Sequence, residues 1–111
     1  MSRITTHVLD TARGCPAAGV PVTLEMHLAG GWKTIGRGHT DADGRARSLA
    51  DGDIERGRYR LTFDTAAYFE DIGVEGFFPT AQIVFDVRDA GEPHHVPLLL
   101  SPFGYSTYRG S

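Results

Sequence analysis

The sequence predicts an all-β fold, an antiparallel β-sandwich with one short helix. Short segments that alternate apolar and polar residues recur along the chain, and turn sequences rich in glycine and aspartate separate them. Only one segment has helical character, and this combination is typical of a sandwich. The chain has 111 residues. We expect residues 1–111 to form a single domain, which can bury a core without a metal or a disulfide.

Three segments alternate clearly and are predicted to be half-buried strands: "VPVTLEMHL", "GRYRLTFD" and "AQIVFDVRD". Their inward-facing side chains are predicted to be Val20, Val22, Leu24, Met26, Leu28, Tyr59, Leu61, Phe63, Ala81, Ile83, Phe85 and Val87. The sequences "LAGGW", "DADGR" and "LADGD" are predicted turns, because glycine and aspartate tolerate the backbone angles of tight turns.

The segment "DTAAYFEDIG" is the predicted helix. Asp64 or Thr65 can cap its amino end through a side-chain oxygen. Gly73 can end the helix in the left-handed conformation that glycine adopts without strain.

Two segments near the end of the sequence depart from the half-buried pattern. "HHVPLLLS" is apolar on both faces, with Val96, Leu98 and Leu100 on one and Pro97 and Leu99 on the other. We therefore expect its outer face to contact another subunit. "GYSTYRGS" also alternates and is predicted to be a final strand beside that interface, where tyrosine and arginine suit a buried but polar contact.

Composition excludes several classes of function. The net charge of −3 and the isoelectric point near 5.9 give no basic surface for nucleic acid. The opening "MSRITTHVLD" has no apolar run typical of a signal peptide, and no stretch is long enough to span a membrane, so we expect a cytoplasmic protein without a membrane partner. Cys15 is the single cysteine and is interpreted as a spare thiol, with a catalytic thiol as the alternative.

Few polar residues stand out as candidates for chemistry. His7 lies in a strand-like run, opposite Ile4 and Val8, and His95 opens the doubly apolar strand. Arg45 follows the "DADG" turn, which lacks the later acidic ligand of a calcium loop. A three-histidine zinc site that uses His7, His95 and a further histidine stays open as an alternative to a metal-free site.

Three stretches together resemble the 5-hydroxyisourate hydrolases, a branch of the transthyretin family: "THVLDTARGCPAAGVPVTL", "TDADGR" and "HHVPLLLSPFGYSTYRGS". "EGFFP" also fits, and the similarity covers nearly the whole chain in order. The terminal "YRGS" is the specific part, since the family's hydrolases end in it and the hormone-carrying transthyretins do not. The family's functional positions fall on His7, Arg45, His95, Tyr108, Arg109, Gly110 and Ser111.

The resemblance implies a transthyretin-like (prealbumin-like) sandwich of seven or eight strands, assembled as a homotetramer with an active-site channel between its dimers. It implies hydrolysis of 5-hydroxyisourate to 2-oxo-4-hydroxy-4-carboxy-5-ureidoimidazoline in urate degradation, without a cofactor or metal.

Within that framework each residue has an expected role. We favour His7 as the base or water-orienting group, with His95 as its partner, and Arg45 as the donor that stabilises the oxyanion. Tyr108, Arg109 and Ser111 are expected to grip the planar ring. Two alternatives remain: a transthyretin-like carrier of a small ligand, and a structural β-sandwich module.

Overall fold

The computed structural model describes residues 3–50 and 54–111, which form two β-sheets and one short helix around a shared apolar core. The strands are β1 Ile4–Asp10, β2 Cys15–Pro16, β3 Pro21–Leu28, β4 Gly31–His39, β5 Arg45–Ala46, β6 Gly57–Phe63, β7 Ala81–Val87, β8 His94–Ser101 and β9 Gly104–Thr107, and the helix is α1 Thr65–Asp71. The predicted all-β sandwich with one helix is confirmed.

Five strands form one sheet and four strands form the other. One sheet has the order β2-β1-β8-β9, with the short β5 also paired to β1, and the other has the order β4-β3-β6-β7. Every pairing is antiparallel except that of β1 with β8, which is parallel. The alternating pattern of each strand did not reveal this one parallel pair, because alternation fixes faces and not partners.

The core confirms the faces predicted for the alternating strands. Tyr59, Leu61 and Phe63 of β6 are at most 1% exposed. Leu28 is the exception, because it lies at the end of β3 and is 44% exposed. β4 was not predicted, since glycine interrupts its sequence and its side chains are mostly accessible to solvent.

The helix begins and ends as predicted. The Asp64 carboxylate accepts a hydrogen bond from the backbone N–H of Ala67 at 3.0 Å. Gly73 has a φ of +70°, and the N–H of Val74 reaches back to the carbonyl of Phe69 at 2.8 Å. These two contacts satisfy backbone groups that the ends of a helix leave unpaired.

A buried polar contact joins the helix to β1. The Tyr68 hydroxyl donates to Oδ2 of Asp10 at 2.6 Å, and the backbone N–H of Arg13 donates to Oδ1 at 3.0 Å. Asp10 is 1% exposed. Burial, together with the bond to Asp10, raises the pKa of Tyr68 to about 12, so the hydroxyl remains a donor across the physiological pH range.

Two of the three predicted turn sequences form turns in the structure. "LAGGW" joins β3 to β4, and "DADGR" leads into β5. Residues 51–53 of the third sequence, "LADGD", lie outside the described residues. In the described part of the chain, no helix has the length and apolar character to cross a membrane.

Candidate active site

The outer face of the first sheet brings three predicted residues together. Along β1 the even-numbered residues point into the core, so Thr5 and His7 occupy the other face. The strand register sets His7 opposite Arg45 of β5 and Thr5 opposite His95 of β8. Since register partners point to the same side of a sheet, His7, Arg45 and His95 share one surface although they are far apart in sequence.

A tight turn holds Arg45 in this position. The Asp41 carboxylate accepts hydrogen bonds from the backbone N–H of Asp43 at 2.9 Å and of Arg45 at 3.0 Å. These bonds lower the pKa of Asp41, chiefly through the N–H of Arg45. Gly44 has a φ of +76°, and its carbonyl accepts from the N–H of Val8 at 2.7 Å. The "DADGR" sequence is therefore a turn that fastens β5 to β1, as predicted.

His95 is half-buried and held by a neighbouring hydroxyl. Its Nδ1 lies 2.8 Å from Oγ1 of Thr5. Burial lowers the pKa of His95, and Coulombic interactions with Arg45 and His7 lower it further. The imidazole is thus neutral at neutral pH, which is the form that can accept a proton.

A pocket of about 190 Å³ opens beside Arg45 and His95, and His7 is not among the residues that line it. Its lining consists of Arg3, Thr5, Thr6, Arg45, Arg47, Pro93 and His95. Three guanidinium groups around one small pocket favour a planar anion or a ligand rich in carbonyl oxygens. The sequence analysis did not identify Arg3, Thr5 and Arg47 as site residues. Arg47 could have been found, because it lies two positions after Arg45 and an extended chain places such residues on the same face.

Residues 108–111, the YRGS segment, follow β9 and run back past His95. The backbone N–H of Gly110 donates to the carbonyl of His95 at 2.8 Å, which makes an isolated antiparallel bridge. The Arg109 guanidinium contacts Oε2 of Glu92 at 3.0 Å. Ser111 is exposed beyond this bridge. The segment therefore lies beside one of the two candidate histidines.

The side chains of Tyr108 and Arg109 face a different opening. They line an apolar crevice of about 240 Å³, together with Ile83 and Phe85 of β7. His95 contributes to this crevice as well as to the arginine-lined pocket. In the single chain, Tyr108 and Arg109, which are predicted to grip the substrate ring, thus lie next to the arginine-lined pocket but not inside it.

The remaining candidates lie elsewhere. Cys15 is half-buried in β2, where it pairs with Asp10. Within residues 3–50 and 54–111, no three histidine, cysteine, aspartate or glutamate side chains are grouped so that they could hold a metal ion. A wider depression of about 570 Å³ lies on the second sheet near Arg58 and Asp86, whose charges pair with each other at 2.8 Å.

Comparison with known proteins identifies the family and the fold of the chain. Residues 4–110 match the HIUase/Transthyretin family. A 5-hydroxyisourate hydrolase of Salmonella typhi is 45% identical over 109 residues, which are 97% of this chain and 80% of that protein. The solved 5-hydroxyisourate hydrolase of Klebsiella pneumoniae has a TM-score of 0.89 at 40% identity, with 100% of both chains covered. Sea bream transthyretin, solved in complex with thyroxine, has a TM-score of 0.90 at 34% identity and covers 97% of this chain and 94% of its own.

Proposed function

Because the chain belongs to the HIUase/transthyretin family, we propose that it hydrolyses 5-hydroxyisourate in urate degradation. The product would be 2-oxo-4-hydroxy-4-carboxy-5-ureidoimidazoline. One observation carries the proposal: His7, Arg45 and a neutral His95 share one face of the sheet, beside an arginine-lined pocket. The pocket suits a small heterocycle with several carbonyl oxygens and acidic N–H groups.

The reaction needs a base for water. Water attacks a ring carbonyl, a carbon–oxygen bond forms, the ring carbon–nitrogen bond breaks, and the departing nitrogen takes a proton. We assign the proton transfers to the imidazole pair, and the lowered pKa of His95 keeps that ring unprotonated and able to accept a proton. His7 then orients the water or returns the proton. Such catalysis typically contributes ~10²–10⁴ in rate.

Arg45 is suited to the developing oxyanion. Its backbone is fixed by the Asp41 turn and by its register with His7. Its guanidinium remains charged at every relevant pH and can donate two parallel hydrogen bonds to a carbonyl oxygen and its neighbour. Removing one well-placed donor to an oxyanion commonly costs ~10²–10³ in turnover.

We further propose a homotetramer in which the YRGS segment lines a channel between dimers. Exposed aromatic side chains support association of copies: Phe77, Phe78 and Tyr105 lie on one surface, where Phe78 packs edge-on against both of the others, and Phe103 is also exposed. Large exposed apolar groups in one patch favour an interface. In the tetramer, Tyr108, Arg109 and Ser111 would hold the substrate. A monomeric mass by light scattering at micromolar concentration would contradict this assembly.

A small-ligand carrier is the second candidate, because the similarity to sea bream transthyretin in fold equals that to the hydrolase. Fold alone does not separate the two. The arginine-lined pocket favours a polar ligand over an apolar hormone. A structural module would leave both the pocket and the histidine pair without a role.

The test is direct. Freshly generated 5-hydroxyisourate decays slowly on its own, and the decay is followed by its ultraviolet absorbance. The protein is expected to accelerate this decay in proportion to the protein concentration. The Arg45→Ala variant serves as the control, with an expected loss of ~10²-fold or more. If the folded wild-type protein leaves the spontaneous rate unchanged, the hydrolase proposal fails and the carrier candidate stands.

A further inference from the structure

The backbone of Gly110 lies directly against the imidazole ring of His95. A methyl carbon placed on Gly110 would come 2.5 Å from Cδ2 of the ring, 3.2 Å from Cγ and 3.3 Å from Cβ. Carbon atoms at ordinary contact are about 3.5–4.0 Å apart, so an alanine would displace the ring by about 1 Å. The φ of Gly110 is not positive. The glycine is therefore required by the ring beside it and not by its own backbone conformation.

Thr5 holds the same ring at its polar edge. Its Oγ1 lies 2.8 Å from Nδ1 of His95, and the strand register keeps the two residues opposite each other. If the Nδ1–H donates to the threonine, the neutral ring carries its free lone pair on Nε2. A hydrogen bond on one ring nitrogen thus decides which nitrogen can act as a base.

We propose that Gly110 and Thr5 are positioning residues that fix the place and the tautomer of the His95 imidazole. This rests on the proposed function, in which that imidazole acts on water. The YRGS segment would then act within its own chain. The backbone of Gly110 packs against the imidazole ring, and the hydrogen bond from the Gly110 N–H to the carbonyl of His95 holds that backbone in place.

The charges around the ring agree with a fixed neutral imidazole. Arg45 from β5 and His7 from β1 lower the pKa of His95, and Arg3 and Arg47 share its pocket. Arg109, which precedes Gly110, forms an ion pair with Glu92. A ring that moved out toward solvent would lose burial, the largest cause of the lowered pKa, and would therefore titrate nearer to its ordinary value.

The first experiment replaces Gly110 with alanine. Gly104→Ala is the matched control, because a methyl carbon there would meet only Oγ of Ser101, at an ordinary 3.8 Å. We expect kcat/KM to fall ~10²-fold in Gly110→Ala, since a displacement of about 1 Å in a reacting group can cost that much. Gly104→Ala is expected to retain wild-type activity and the same melting temperature.

The second readout does not depend on activity. Nitrogen-15 NMR of the histidine side chains reports the tautomer and the pKa of His95 in each protein. Wild type is expected to show the Nδ1–H form with a lowered pKa, and Gly110→Ala a pKa moved toward the ordinary value. Thr5→Val is expected to lose the tautomer preference and activity together, and Thr5→Ser, which keeps the hydroxyl, to retain both.

The outcomes separate the two proposals. If wild type shows no hydrolase activity but the His95 signals change as described in the variants, the ring is held as proposed and the function is wrong. If Gly110→Ala is folded and its His95 tautomer and pKa match those of wild type, the positioning role is overturned, whatever happens to activity. Equal activity of Thr5→Val and Thr5→Ser would overturn the role of the hydroxyl.

Discussion

Removing residues 108–111 should abolish activity while leaving a folded protein. The deletion eliminates the N–H of Gly110 that donates to His95 and the ion pair of Arg109 with Glu92. One backbone hydrogen bond contributes about 0.5–1.5 kcal/mol to stability. The ion pair adds little, because its two side chains are 63% and 55% exposed. The expected cost is therefore about 1 kcal/mol, or a melting temperature lower by about 4–8 °C.

That loss cannot account for a loss of turnover. A domain stable by about 5–15 kcal/mol remains more than 99% folded after losing about 1 kcal/mol. If the segment positions His95 and grips the substrate, the rate should fall ~10²-fold or more, equivalent to about 2.7 kcal/mol of activation free energy. The effect on the reaction barrier is thus expected to exceed the effect on stability more than twofold.

The assay compares steady-state decay of 5-hydroxyisourate and thermal melting for the full-length and shortened proteins. Glu92→Gln is the matched control, since it breaks only the exposed ion pair and should change neither quantity appreciably. A shortened protein that melts within these limits and still turns over substrate at the full-length rate would refute the catalytic role of residues 108–111. A shortened protein that does not fold would refute the stability argument.

Three further predictions follow from the site and the core. His7→Ala should lower kcat by ~10²-fold or more without changing the melting temperature by more than about 4 °C, and an unchanged kcat would remove His7 from the reaction. Because burial, Arg45 and His7 lower the pKa of His95 below its ordinary value of about 6.5, more than half of the imidazole is unprotonated at pH 6.5, and the fall in activity with acid should be centred below that pH; a fall in kcat/KM centred above pH 6.5 would argue against His95 as the base. Tyr68→Phe leaves the buried Asp10 without its hydroxyl donor and should lower the free energy of unfolding by about 1–3 kcal/mol in urea, whereas a change below about 0.5 kcal/mol would show that the bond contributes little.

Local patterns in the sequence were sufficient for most elements. The caps at Asp64 and Gly73 were predictable because each depends on a single residue within one turn of the helix. The inward face of β6 was predictable because Tyr59, Leu61 and Phe63 alternate without interruption. β4 escaped prediction, since it forms one edge of its sheet and lacks a continuous apolar face.

The site was less accessible from the sequence than the fold. His7, Arg45 and His95 stood out as polar candidates and received their roles through the family resemblance, but their meeting on one surface depends on pairings that no local pattern encodes. The contact of Gly110 with the His95 ring is a matter of atomic distance, which a sequence does not express. Thr5 gave no signal because threonine is ordinary in a strand.

The parallel pairing of β1 with β8 determines when the site can form. Ile4 pairs with His94, so the pairing that brings His7 and His95 onto one surface closes a loop of about ninety residues. The other sheet takes its four strands from residues 21–87, a stretch in which only β5 belongs to the first sheet, and it needs only shorter loops. During synthesis this second sheet can pair before β8 is made, whereas the edge of β1 that pairs with β8 must wait for it. Closure of such non-local pairings is slow, so we expect the candidate site to be among the last parts of the molecule to be assembled.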